Sequence, residues 1–229
     1  MTLYIVPTPI GNLRDITLRA LDILKEVDVI ACEDTRQTQK LLNHYEIKKP
    51  LVSFHEHSSA GKLEEIKARL IKGDSVALVS DSGTPLISDP GFLLVREAIR
   101  GGIRVEALPG ASAVVTALAA SGLPTHRYSF LGFLPPKSVA RKKRIAEVSE
   151  REDALVFYES PYRVLQMLKD LREVLGDREA VAARELTKKF EEISRGFLST
   201  LIEKVSKGKI LGEFVVLVAG KNQKRVFQG

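Results

Sequence analysis

The stretch SVALVSDSGTPLISDPG, residues 75–91, decides the fold class of this chain. It joins an apolar run, Val76–Val79, directly to a turn holding two aspartates, two glycines and two prolines. A short aliphatic run bounded by turn residues reads as a strand buried on both faces. The end of the turn has a local explanation, since Ser88 or Asp89 can cap a helix and Pro90 suits its first turn. Leu94, Val95, Ala98 and Ile99 then recur at helical spacing ahead of Gly101 and Gly102, so the unit is strand, loop, helix. Residues 81–85 have no such local explanation. In open parallel sheets ligands sit outside the carboxyl ends of strands, which is where this loop lies. Asp81 offers a carboxylate, the turn offers closely placed N–H groups, and Gly83 lets a ligand approach the backbone.

Working outward, the same pattern repeats. Strands are expected at residues 3–6, 27–32, 51–54, 76–79 and 105–108, with Leu18, Leu21 and Leu24 marking a helix after the first. This alternation is that of a largely parallel α/β sheet. The small-residue helix in PGASAVVTALAASG stops at Gly122 and Pro124, which sets a domain boundary between residues 1–122 and 127–229. The second part offers strands at residues 128–133, 155–158, 180–183 and 214–218. Its best-marked helix lies in YESPYRVLQMLKDLREVLGD, with Ser160 as cap, Pro161 in the first turn, an apolar stripe of Val164, Leu165, Leu168, Leu171 and Leu175, and Gly176 as stop.

At 229 residues the chain can bury a core without disulfides or a structural metal. Its 35 Lys and Arg against 29 Asp and Glu give a net charge of +6, which favours an anionic partner, nucleic acid ahead of a membrane surface. The single cysteine, Cys32, excludes an internal disulfide. With no signal-peptide layout in MTLYIVPTPIGN, a cytoplasmic protein is expected. No apolar run approaches the roughly 18 residues of a membrane span.

Four further strand-end segments carry candidate chemistry. VPTPIGNLRD is stiffened by prolines and lacks G-x-G-x-x-G, which disfavours a nicotinamide dinucleotide. ACEDTR sets Glu33, Asp34 and Arg36 just past a strand; they could orient a substrate, or Asp34 or Thr35 could simply cap a helix beside a local ion pair. SFHEH places His55 and His57 on one face, but no third or fourth metal ligand accompanies them, so no metal site is expected. LPGASAVV lacks bulk over residues 110–113, which suits tight packing or a flat ligand. The basic run PPKSVARKKRIAEV gathers Lys137, Arg141, Lys142, Lys143 and Arg144, either a solvated helix face or a phosphate-binding surface.

Taken in order, LYIVPTPIGNL, EDTR, SDSGTPLISDPG, LPGASA, GFLPPK, YESPYR and ARELTKKFEE resemble the small-subunit ribosomal RNA cytidine 2'-O-methyltransferases, within the wider tetrapyrrole methylase superfamily. The resemblance implies two α/β domains of tetrapyrrole methylase type with the S-adenosylmethionine cleft between them, a homodimer, and 16S rRNA, within the 30S subunit, as substrate. It implies that the proline loop at Pro7 to Gly11, Pro9 foremost, borders the cofactor and that Asp81, Gly83, Thr84, Leu86 and Ile87 cradle it. Ser112 and Ala113 would complete that wall, with Phe157, Tyr158, Glu159 and Ala182 contributing from the second domain. A ribose hydroxyl is a poor nucleophile, so a base beside the acceptor is expected. Glu33 and Asp34 are the candidates, with His55 and Glu159 in reserve and Arg36 gripping a phosphate. Lys137, Arg141, Lys142, Lys143 and Arg144 would meet RNA phosphates. Rival readings are another methyltransferase of the superfamily and a non-enzymatic RNA-binding ribosome-assembly factor.

Overall fold

Five short strands, β1 (Thr2–Ile5), β2 (Val29–Cys32), β3 (Leu51–Ser53), β4 (Val76–Val79) and β5 (Arg104–Ala107), pair in the order β3-β2-β4-β1-β5, every pair parallel. They belong to a computed structural model that describes residues 1–55, 60–88, 91–208, 210–223 and 226–227. Parallel neighbours cannot be joined by a tight turn, so helices carry each crossover: α1 (Leu18–Glu26), α2 (Thr35–His44), α3 (Ala60–Lys72) and α4 (Phe92–Arg100). The chain steps from β1 through β2 to β3 in one direction, then back through β4 to β5. Right-handed crossovers that reverse direction place their helices on opposite faces. Accordingly, Leu3, Ile5, Val29, Ala31, Val76 and Leu78 pack with Ile66 and Leu70 of α3 and Leu94 and Ala98 of α4. Val6, Ile30, Cys32, Ala77 and Val79 face Ala20 and Leu24 of α1 and Leu42 of α2. Coverage on both faces explains why β2 and β4 read as uninterrupted apolar runs.

The second sheet orders β6 (Tyr128–Phe133), β7 (Ala154–Glu159), β10 (Phe214–Val218), β8 (Glu179–Arg184) and β9 (Glu192–Phe197) as β6-β7-β10-β8-β9. Only β6 and β7 run parallel; the other pairs are antiparallel, so the parallel expectation holds for the first sheet alone. Helices α6 (Ser138–Ala146), α7 (Val164–Leu175) and α8 (Leu198–Lys207) cover one face, burying Ile145, Leu168, Leu171 and Leu201 against Leu155, Phe157, Ala180, Ala182, Val216 and Val218. Strand β9 escapes sequence detection because an edge strand needs no apolar face, and Glu192, Ser194 and Arg195 supply none.

The chain divides into two compact units, Met1–Ser112 and Ala113–Gly229. This division falls before α5 (Ala113–Ser121) rather than after it. Arg195 of β9 donates to the carbonyl of Ser121 at 3.1 Å and also to that of Ala120, satisfying acceptors that a helix C-terminus leaves open. Two helix starts are also later than expected. Helix α4 begins at Phe92 behind Gly91 (φ 132°), with no side-chain cap; Ser88 instead adopts φ 75°, while Asp89 and Pro90 lie outside the described residues. Helix α7 begins at Val164, because residues 161–163 form a turn; its end at Gly176 (φ 79°) is as expected. Among the described residues no helix is long and apolar enough to cross a membrane.

Candidate active site

In a parallel sheet every strand delivers its following loop to the same edge, so the first unit gathers its candidate residues along one line. His55 follows β3, Glu33 and Asp34 follow β2, Asp81 follows β4, Pro7 and Pro9 follow β1, and the segment of Gly110 to Ser112 follows β5. The crossover direction reverses beside β4, where loops leading to opposite faces part, the position at which open parallel sheets take their ligands.

The loops around that position are tied together. The backbone N–H of Thr8 donates to the carbonyl of Gly83 at 2.9 Å and the N–H of Gly83 donates back to Thr8 at 3.0 Å. The Thr8 hydroxyl donates to the carbonyl of Ser80 at 3.0 Å, the Thr84 hydroxyl to that of Ala111 at 3.0 Å. From the other side, the Asp34 N–H donates to Asp81 Oδ1 at 3.1 Å. Gly110 lies so close to Pro7 that an added Cβ would sit 2.5 Å from the proline Cβ. Gly83, at φ 85°, occupies a conformation that favours glycine. Leu86, at φ 74°, does so without that licence, so the loop stores strain where a ligand would meet it. Pro7 and Thr8 belong to the proline loop and Gly110 to the low-bulk segment that the sequence marks; what the sequence does not show is that Thr8 clamps Gly83 and that Pro7 abuts Gly110.

Electrostatics separate the carboxylates. Asp34 caps α2 through the Arg36 N–H at 2.8 Å and forms a two-pronged pair with the Arg36 guanidinium, at 3.1 and 2.7 Å. Those hydrogen bonds hold its pKa down to about 2. The helix-cap alternative for Asp34 is therefore what the structure adopts, and such a carboxylate is a weak proton acceptor. Asp81 moves the other way: partial burial raises its pKa, and the nearby Asp34 charge adds to this. Glu33 is half-buried; His55 is exposed, while His57 lies outside the described residues.

In the second unit several expectations need correction. Phe157 is fully buried and Ala182 3% exposed, both in the unit's own core, so any ligand contact there is confined to backbone. The Glu159 carboxylate is buried too; it accepts from the Ser160 N–H at 2.8 Å and pairs with Arg163 Nη2 at 3.2 Å, while Arg163 donates to the Leu134 carbonyl. It holds the turn before α7 and is not placed as a reserve base. Tyr158 is half-buried on the opposite face of β7. Of the basic run, Arg141 is 2% exposed and bonded through Nε to Asp170 at 2.7 Å and through Nη1 to the carbonyls of Pro135 and Pro136, which removes it from any phosphate. Lys142 pairs with Glu173 and Arg144 with Glu147. Lys137 and Lys143 are exposed and form no ion pair among the described residues.

Against known proteins, the sequence profile of the Tetrapyrrole (Corrin/Porphyrin) Methylases matches residues 2–202. The chain is 52% identical over 221 residues to the ribosomal RNA small subunit methyltransferase I of Vibrio cholerae, spanning 95% of this chain and 77% of that one. Among solved structures it is similar to a diphthine synthase, with a TM-score of 0.71, 20% identity and coverage of 98% and 92% of the two chains. It is likewise similar to uroporphyrin-III C-methyltransferase from Thermus thermophilus complexed with S-adenosylhomocysteine, with a TM-score of 0.65, 19% identity and coverage of 96% and 98%.

Proposed function

Because this chain belongs to the tetrapyrrole (corrin/porphyrin) methylase family, and within it to the ribosomal RNA small subunit methyltransferase I proteins, we propose that it methylates a cytidine ribose 2'-hydroxyl of 16S rRNA, using S-adenosylmethionine. The observation that carries the reading is the knot of loops at the β1, β4 and β5 ends, with its strained Leu86 and its Asp81 carboxylate in no ion pair among the described residues.

These residues fit the cofactor. Asp81 would accept hydrogen bonds from its hydroxyl or ammonium groups, while Gly83, Thr84, Ile87, Pro9, Ser112 and Ala113 would offer backbone and small side chains to its adenosine and methionine parts. When bound, it supplies a methyl carbon already activated by a sulfonium. What the protein must add is alignment and a place for one proton. Glu33, next to β2 and beside the His55 end of β3, is the group we assign to take the 2'-hydroxyl proton; the methyl would pass to that oxygen as its bond to sulfur breaks, the electron pair staying on a neutral thioether. Asp34 is held ionised by Arg36 and serves to fix that guanidinium, whose remaining N–H groups are free to meet an RNA phosphate.

The substrate is taken to be rRNA within the 30S subunit and the working form a cytoplasmic homodimer; the net charge of +6 supports the polyanionic partner. Incubation with labelled S-adenosylmethionine and either 30S subunits or free 16S rRNA, followed by nucleoside mass mapping, tests the reading. We expect label on one 2'-O-methylcytidine. Label on a base, or none on RNA, overturns it.

A further inference from the structure

The second unit carries an aromatic face on β6 and β7. The register runs Tyr128 to Ala154, Ser129 to Leu155 and Phe130 to Val156, then jumps to Phe133 opposite Tyr158. Three steps along β6 thus match two along β7, a bulge that Gly132 accommodates at φ 62°. Side chains alternate along a strand, so without the extra residue Phe133 would point away from Phe130. With it, both rings meet Tyr158, at centroid distances of 4.9 and 5.6 Å. This face is the one opposite Leu155 and Phe157, which point into the helix-covered core.

Three features indicate what such a face takes. Phe133 is 59% exposed and Tyr128 46%, on an edge strand that pairs with β7 alone among the described residues. The exposed Lys137 follows four residues after Phe133, and Arg163, one-third exposed, sits on the turn after β7 with Tyr162, 95% exposed, beside it. Open aromatic rings interleaved with cations are the composition that binds unpaired nucleotides, the rings stacking on bases and the cations following the backbone. A purely apolar partner would leave the exposed Lys137, which forms no ion pair among the described residues, without a counter-charge.

We propose that Phe133, packed against Tyr158, which Phe130 in turn meets edge-on, is a stacking platform for an unpaired base of the RNA substrate. This rests on the rRNA methyltransferase reading and extends it to how the nucleotide is held out of its helix. A ribose within a stacked duplex cannot enter a closed site, and a ring that holds one base extruded keeps its sugar accessible.

The chain has no tryptophan, so Phe133→Trp installs a sole reporter on the platform. Its fluorescence should be quenched by oligocytidylate and much less by a matched abasic oligomer. Phe133→Leu, which keeps apolar bulk without a ring face, should weaken oligocytidylate binding by roughly ten- to a hundredfold and raise KM for 30S subunits with kcat little changed. Its affinity for S-adenosylhomocysteine should equal the parent's. Parent-like RNA affinity in Phe133→Leu overturns the proposal while leaving the parent reading intact. So does quenching by S-adenosylhomocysteine alone, which would make this a cofactor surface, or a changed sedimentation coefficient in Phe133→Leu, which would make it a contact between copies. Failure of the parent protein to methylate either 30S subunits or free 16S rRNA removes both readings together.

Discussion

Asp81 and Asp34 show how two neighbouring carboxylates are set apart by their surroundings, the second being consumed by the scaffold. Asp34 caps a helix and neutralises Arg36; Asp81 accepts the Asp34 backbone N–H and is partly desolvated beside a like charge. A carboxyl whose pKa is raised on folding binds its proton more tightly in the folded state, so it adds stability as the pH falls through that value and removes it above. Asp81→Asn should therefore leave thermal stability at neutral pH unchanged or slightly higher, while weakening S-adenosylmethionine binding at least about tenfold through loss of a charge-assisted acceptor. Calorimetric titration against pH should show parent affinity declining as the pH falls into the upper carboxylate range, where the variant's stays flat. Equal profiles would take Asp81 out of the cofactor contact.

At the scale of elements, α6 is where sequence composition and structure part. A run of five cations within eight residues reads as one surface, yet helical spacing turns Arg141 and Ile145 inward together. Arg141 then meets Asp170 of α7, which also accepts from Ser138 and Gln166, so α6 and α7 are joined by a satisfied buried polar cluster. Arg141→Ala would strand the Asp170 charge and should cost about 3–5 kcal/mol in denaturant unfolding. Arg141→Met combined with Asp170→Leu should recover most of that loss, and Lys143→Ala should cost nothing measurable. An undiminished stability in Arg141→Ala would return that residue to the surface. Similar reasoning covers β9 and α5: both are fixed by partners remote in sequence, Arg195 reaching α5 across 74 and 75 positions.

Over the whole molecule, the positive excess should appear as salt dependence. For single-stranded RNA each neutralised phosphate contributes about 0.7 to the slope of log K against log salt. Replacing Lys137 and Lys143 together by Ala should lower that slope by roughly 1 to 1.5 without touching cofactor affinity. A filter-binding series across salt concentrations checks this, and an unchanged slope would move the phosphate contacts elsewhere. By itself the sequence determined the parallel first sheet, the turn that follows β4 with Gly83 within it, and the family. Each of these follows from local periodicity, turn chemistry or ordered motifs. Only the tertiary structure decided that Thr8 clamps Gly83, that Asp34 belongs to Arg36, that Arg141 and Glu159 are buried structural charges, and that a bulge brings Phe133 beside Tyr158. Those outcomes depend on which strands become neighbours and which helix face turns inward, and long-range packing sets both.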